Sequence, residues 1–134
     1  MAGTTGNGII SEWHRVVRER DMSGMHALLD DEVVFHSPVV HTPQRGKAIT
    51  AKYLEAALGV LNNDSFTYLR EIVGERDAML EFSTELDGVQ VNGVDIVRWN
   101  DEGRIVDFKV MVRPLKAIDA VHRAMGAMLQ KLAR

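Results

Sequence analysis

The chain has 134 residues, the usual size of one folded domain, and its 46% apolar and 26% charged residues exclude a disordered or collagen-like protein. Its net charge of −3 argues against a nucleic-acid partner, because no basic field is available to attract a phosphate backbone. The absence of cysteine excludes disulfides, thiolate metal ligands and a cysteine nucleophile.

Residues 1–8 are rich in glycine and threonine, and we expect them to be flexible. The apolar pair Ile9-Ile10 is far too short for a signal peptide or a membrane-spanning helix. We therefore expect a cytoplasmic protein without a membrane partner.

The first third of the chain shows helical spacing. Apolar residues recur three or four positions apart and predict an amphipathic helix over residues 9–20. Asp21 or Ser23 can cap a second, shorter helix, which we expect to end at Asp30-Asp31.

A single strand and a third helix follow. Residues 32–36 are rich in β-branched and aromatic side chains, which predicts a strand. Two prolines and a glycine predict a loop over residues 38–46. Gly46 then begins a third helix with a broad apolar face, which ends at residues 62–64.

Beyond residue 64 the apolar pattern changes to a period of two, which predicts an antiparallel meander. Its four strands span residues 65–73, 78–86, 89–99 and 104–113. Asn92-Gly93 is a rival turn signal, but we place the hairpin turn at Asp87-Gly88 and interpret Gly93 as a bulge. After Pro114, an apolar stripe predicts a final helix to about residue 132.

These elements predict an α+β domain in which helices cover one face of a bent antiparallel sheet. Along residues 94–99, Val94 and Ile96 make one face apolar, and Val97 and Trp99 the other. The last strand adds an apolar face made of Val106, Phe108, Val110 and Val112. Because a sheet with two apolar faces needs two covers, we predict a homodimer that pairs through the face away from the helices.

Two stretches resemble a known family: Phe35-His36-Ser37-Pro38, and residues 94–99 followed by 103–106. With the order of elements, they resemble the SnoaL-like branch of the nuclear transport factor 2-like superfamily. This resemblance implies one domain over residues 1–134 with a cystatin-like, cone-shaped fold, in which residues 115–134 form a helical extension. It also implies an apolar cavity that different members use for isomerase, cyclase, epoxide hydrolase or dehydratase chemistry, or for binding alone.

The resemblance to ketosteroid isomerases implies roles for three residues. Asp95 matches a buried aspartate that donates a hydrogen bond, His14 lies at or next to the oxyanion tyrosine, and Ser37 matches the base carboxylate. Because a serine hydroxyl does not abstract protons near neutral pH without an activator, the chain departs from the isomerase pattern there. It departs from the epoxide hydrolase and cyclase patterns as well, which have an acid where this chain has Val110.

The residues themselves leave alternatives open for the two main candidates. The apolar neighbours of Asp95 predict either a structural carboxyl with a hydrogen-bond partner or an acid with a raised pKa. His36 ends a strand that should border the cavity, where it is either a base for neutral pH or a histidine bonded to a loop carbonyl.

The other histidines are weaker candidates. His14 lies beside the polar stripe of the first helix, where the alternative is a solvated side chain. His41 either covers the cavity mouth or is an exposed loop residue, and His26 and His122 look like helix-surface residues. Their spacing does not match a metal site, so we expect neither a metal nor a cofactor.

Asp95, His36 and His14 are therefore our candidate catalytic residues. The other predicted pocket residues are mostly apolar or aromatic: Trp13, Phe35, Ser37, Tyr53, Val97, Trp99 and Val110. One hypothesis is a cofactor-free isomerase, cyclase or dehydratase that moves a proton on an apolar carbonyl compound between Asp95 and His36. The other is a non-catalytic ligand-binding or dimerisation module with the same fold.

Overall fold

A computed structural model of the chain describes residues 6–133. Four helices are present in this range: α1 (Gly6–Glu19), α2 (Met22–Leu28), α3 (Lys47–Leu61) and α4 (Leu115–Leu132). The strands are β1 (Leu29–His36), β2 (Gln44–Arg45), β3 (Thr67–Val73), β4 (Asp77–Leu86), β5 (Val89–Trp99) and β6 (Ile105–Arg113). They form one sheet in the order β2-β1-β6-β5-β4-β3.

The predicted α+β class and the meander β3-β4-β5-β6 are confirmed. β1 joins this meander in parallel with β6, and the short β2 pairs with β1 in antiparallel. The Asp87-Gly88 hairpin turn is also confirmed, since both residues have positive φ angles, 52° and 79°, as the right-handed twist of a tight hairpin requires.

The N-terminal boundaries differ from the prediction at two points. α1 already includes residues 6–8, which we expected to be flexible, while residues 1–5 lie outside the described residues. α2 ends at Leu28 rather than at residue 30, because the buried Leu29 pairs with Ile105 and starts β1. Asp21 is the cap of α2, as its carboxylate accepts the backbone N–H of Gly24 at 2.9 Å.

The prediction of a bulge at Gly93 is wrong. β4 and β5 pair without interruption, with Gly93 directly opposite Phe82. A Cβ atom on Gly93 would lie 2.3 Å from Cζ of Phe82, so the glycine makes room for a buried aromatic ring that packs across the strand pair.

The bulges lie elsewhere in the sheet. The register of β5 and β6 shifts so that Arg98 pairs with Asp107 and Trp99 with Ile105, which leaves Val106 unpaired. Ile105 and Phe108 are both buried as a result, and Val106 does not belong to the apolar face that we predicted for it. A second register shift interrupts β3 between Tyr68 and Arg70.

Helices pack on one face of the sheet, which we call the inner face, in two apolar clusters. One joins α1, α2 and α3 to the sheet and includes Trp13, Met25, Leu54, Leu80 and Phe108. The other joins α3 and α4 to the sheet and consists of Val60, Leu61, Phe82, Val91, Ala117 and Val121. Within residues 6–133, every helix is too short or too polar to cross a membrane.

The contact between Gly93 and Phe82 makes a testable prediction. Gly93→Ala should lower the free energy of unfolding by about 1–3 kcal/mol, because the added methyl group forces the buried ring out of its position. Urea denaturation measures this change.

The control is Gly126→Ala in α4, where no heavy atom lies within 4 Å of the added Cβ. This variant should gain about 0.5–1 kcal/mol from the higher helix propensity of alanine. Equal stability of the Gly93→Ala variant and the wild type would show that the ring moves without cost.

Candidate functional site

An apolar cavity lies between the inner face of the sheet and helices α1, α3 and α4. It has two adjoining parts, which we call the deep chamber, of about 50 Å³, and the outer chamber, of about 210 Å³. Ala57, Leu61 and Val110 line both chambers. Because Val110 pairs with Asp95 across β5 and β6, the boundary between the chambers lies beside Asp95.

Asp95 lines the deep chamber from the middle of β5. The alternation of the strand turns its side chain to the inner face, between Leu80 of β4 and Val110 of β6, where the residue is only 8% exposed. Within residues 6–133 no group donates a hydrogen bond to its carboxylate. Burial raises the pKa of Asp95 to about 7, because the charged form loses its hydration.

Tyr68 lines the deep chamber together with Asp95. Its hydroxyl accepts the indole N–H of Trp13 at 3.2 Å, which leaves its own proton to donate to another group. Burial raises the pKa of Tyr68, and the nearby Asp95 carboxylate raises it further. The deep chamber is therefore lined by two residues that can carry an O–H group, Tyr68 and protonated Asp95.

The sequence analysis did not identify Tyr68. A tyrosine at the start of an amphipathic strand is most simply a half-buried side chain, and the residue lies 27 positions before Asp95 in the chain. The signal that could have found it is the predicted register of the meander, which places the start of β3 across β4 from the middle of β5.

The expectation that His36 borders the cavity is wrong. Phe35 faces the core from β1, and the alternation of the strand turns His36 to the opposite, outer face of the sheet. There its Nε2 lies 3.0 Å from Oδ2 of Asp107. His36 and Asp95 thus lie on opposite faces of the sheet and do not reach one ligand.

His14 also lies outside the two chambers. It borders an open groove between α1 and β3, where its Nε2 pairs with a carboxylate oxygen of Glu71. The edge of its ring contacts Tyr68, with the ring centroids 4.5 Å apart. His14 therefore contacts Tyr68 but does not line either chamber.

The structure brings most of the predicted pocket residues together. Trp13 lines the deep chamber, and Val110 lines both. The outer chamber is lined by the expected Phe35, Ser37 and Tyr53. Val97 and Trp99 do not line either chamber, since both are buried in the first apolar cluster further along β5.

The mouth of the outer chamber lies between a loop and α4. The loop consists of residues 38–40 and follows Ser37. The Ser37 hydroxyl accepts hydrogen bonds from the backbone N–H groups of Val39 and Val40, at 3.0 and 3.3 Å. His41 is exposed and does not line the chamber. α4 supplies the opposite wall, including His122, which is exposed on the helix surface as expected and also borders the chamber.

The described residues form no cluster of three or more histidine, aspartate or glutamate side chains able to hold a metal ion.

The SnoaL-like domain family matches residues 10–108 of the sequence. The chain belongs to this family. The matched segment covers α1 to β6 as far as Phe108 and ends before α4. No match was found among curated proteins.

Two solved structures are similar over nearly the whole chain. A steroid delta-isomerase from Pseudomonas aeruginosa is 37% identical, with a TM-score of 0.89 over 96% of this chain and 95% of that one. A bacterial protein with a cystatin-like fold from Silicibacter pomeroyi is 34% identical, with a TM-score of 0.84 over 94% and 88% of the two chains. The predicted family and its cystatin-like fold are confirmed.

The epoxide hydrolase/cyclase-like enzyme SalBIII, which acts in pyran ring formation in the polyether salinomycin, shares the fold. It is 18% identical, with a TM-score of 0.64 over 78% of this chain and 88% of that one. At this identity the similarity concerns the fold alone.

The raised pKa of Asp95 makes the stability of the protein depend on pH. The unfolded chain releases this proton near pH 3.8, the ordinary pKa of an aspartate, and the folded protein retains it until about pH 7. Below pH 3.8, Asp95 is protonated in both states and does not lower the free energy of unfolding. As pH rises from 3.8 to about 7, the free energy of unfolding falls, and above about pH 7 the loss is complete.

Asp95→Asn removes this titration, so the stability of the variant relative to wild type should rise by an amount on the order of 4 kcal/mol between about pH 4 and about pH 8. Urea denaturation of both proteins across this range measures the difference. Asp119→Asn, on the exposed side of α4, is the control for loss of one carboxylate. A constant difference between wild type and Asp95→Asn would mean that Asp95 is charged in the folded protein.

Proposed function

We propose that the protein binds a compact, apolar carbonyl compound in the cavity and polarises its C=O bond with the O–H of Asp95, as part of isomerase- or cyclase-type chemistry. The observation that carries this proposal is the position of Asp95: a buried carboxyl without a hydrogen-bond partner among the described residues, at the inner end of an apolar cavity. A neutral acid in such a place donates to a ligand oxygen without first breaking a bond to the protein.

The chemistry follows from the charge that develops during enolisation. When a carbon next to a conjugated carbonyl system loses a proton, negative charge moves to the carbonyl oxygen. Protonated Asp95 and the hydroxyl of Tyr68 stabilise that charge by hydrogen bonds in an apolar site from which water is largely excluded. A preorganised donor of this kind contributes about 10²- to 10³-fold to a reaction rate.

The size of the cavity limits the ligand. The outer chamber of about 210 Å³ and the deep chamber of about 50 Å³ are smaller than the ~300–1,000 Å³ pockets that hold drug-sized ligands. Apart from Ser37 and His122, the outer chamber is lined by apolar and aromatic residues. A monocyclic ketone or enone fits these dimensions and this lining.

Similarity to the steroid delta-isomerase from Pseudomonas aeruginosa supports the isomerase class, because the two chains are 37% identical over 96% of this chain. The second candidate function is ligand binding without turnover. It is favoured by the positions of His36 and Asp95 on opposite faces of the sheet, since the predicted base does not reach the ligand.

The first test is binding of 4-nitrophenol at about pH 6.5, where Asp95 is largely protonated and the phenolate oxygen imitates an enolate. Wild type should bind the phenolate, whose visible absorbance reports its ionisation. Asp95→Leu should weaken binding by about 10- to 100-fold, because a hydrogen bond to a charged oxygen contributes about 1.5–3 kcal/mol.

Asp95→Asn keeps an N–H donor of similar size and should lose less affinity than Asp95→Leu. Asp107→Asn, on the outer face, is the matched control and should bind like wild type. The proposal fails if wild type does not bind 4-nitrophenol or if Asp95→Leu binds it equally well.

We also propose that the partner of the outer sheet face is a second copy of the chain. This face exposes Ile72, Met79 and Met111 at 61%, 41% and 49% around a depression of about 450 Å³. The salt-bridged Arg70 and Glu81 border the same depression, so two copies related by a two-fold axis can pair opposite charges around an apolar centre.

Met111→Glu should shift this dimer to monomer, because it places a charge in the apolar centre of the interface. Sedimentation velocity at micromolar concentration measures the change. Leu115→Glu, which is exposed at the start of α4, is the control and should remain dimeric. A wild-type monomer at the same concentration contradicts the proposal.

A further inference from the structure

The outer wall of the cavity comes from a part of the chain beyond the matched family segment. The family match ends at residue 108, whereas α4 begins at Leu115. From this helix, five residues line the outer chamber: Val121, His122, Met125, Gly126 and Leu129. Four of them are apolar, and His122 is the exception.

We propose that His122 is the base of this site and removes a proton from the carbonyl compound whose oxygen is held by Asp95. This inference rests on the proposed function and supplies the base that this chain lacks relative to the ketosteroid isomerase pattern, because Ser37 stands where that resemblance places a carboxylate. The supporting observation is which titratable side chains line the two chambers.

All five histidines of the chain lie within the described residues, and His122 alone among them lines either chamber. The other titratable groups on the walls are Asp95 and the hydroxyls of Tyr53 and Tyr68. An imidazole is the side chain best suited to accept a proton from carbon near neutral pH. Within residues 6–133, no hydrogen bond or ion pair occupies the ring of His122, so its nitrogens are available to a ligand.

Gly126, like His122, is an exposed residue of α4 that borders the outer chamber. It lies one helical turn after His122 and therefore on the same side of α4. No heavy atom lies within 4 Å of the position where its Cβ would be, so the glycine does not serve close packing. Gly59 shows the contrast, because a Cβ there would meet Met128 at 2.9 Å. The side of α4 that carries Gly126 and His122 is therefore open to solvent, and the imidazole lies at the rim of the outer chamber.

The positions of the two groups define which proton is removed. Asp95 lies in the deep chamber and His122 at the mouth of the outer one, so they do not meet at adjacent atoms of the ligand. The proton therefore leaves the far end of a conjugated system, which in an α,β-unsaturated ketone is the γ carbon. The ligand lies with its oxygen inward and this carbon toward α4.

The step balances without a co-reactant. A ring nitrogen of His122 takes the γ proton, and the electrons of the C–H bond form a new C=C bond while the existing π electrons move toward oxygen. The resulting dienolate oxygen accepts hydrogen bonds from Asp95 and Tyr68. The imidazolium then returns a proton to the α or γ carbon, which shifts or restores the double bond.

The experiment follows exchange of γ hydrogens of 3-methylcyclohex-2-enone in D₂O by proton NMR. Wild type should accelerate exchange at the ring γ carbon and at the methyl group. His122→Ala should lower this rate by about 10²- to 10⁴-fold, which is the usual contribution of a general base. Added imidazole should restore part of the lost rate, because it can occupy the space left by the ring.

The matched control is His26→Ala, an exposed histidine on α2 that should leave exchange unchanged. Full exchange activity in His122→Ala overturns the inference. So does a wild type that binds 4-nitrophenol but does not exchange the enone, and that result leaves the proposed binding at Asp95 intact. Loss of exchange in His122→Ala without imidazole rescue, together with loss of 4-nitrophenol binding, identifies a structural role and also overturns it.

Discussion

A carboxyl group that the fold keeps out of water is the constraint on which the rest of this site depends. Asp95 belongs to the inner row of β5, and its neighbours in that row and on the adjacent strands are apolar. Charge there is unfavourable, since no cation or hydrogen-bond donor within residues 6–133 compensates for the lost hydration. The raised pKa, and with it the capacity to donate a hydrogen bond near neutral pH, follows from that single placement.

The pleat of the sheet decides which polar groups act together. Side chains of alternate residues point to opposite faces, so Asp95 and Tyr68 share the inner face, and His36 and Asp107 share the outer one. The inner pair faces an apolar cavity, whereas the outer pair is partly hydrated. Two aspartates of the same sheet, Asp95 and Asp107, therefore have different surroundings because their side chains lie on opposite faces.

The sequence predicted the fold well because the fold depends on periodicity and turn chemistry, which are local signals. The meander, the Asp87-Gly88 turn and α4 all come from such signals. The burial of Asp95 was also predictable from its apolar neighbours. The position of His36 was not, because a strand pattern with Val33, Val34 and Phe35 does not show which of its faces meets the helices. His122 lies on the helix surface as predicted, but its position beside the outer chamber was not predictable, because it depends on how α4 docks on α3, a contact between distant parts of the chain.

The two edges of the sheet restrict how this molecule can associate. One edge is β2, only two residues long, and the other is β3, which is interrupted by a register shift and carries the charged residues Arg70 and Glu71. Short, irregular and charged edges are poor templates for main-chain hydrogen bonding with another strand. Growth of the sheet from molecule to molecule, as in amyloid, is therefore disfavoured by the backbone itself, even though the protein carries a large exposed apolar face.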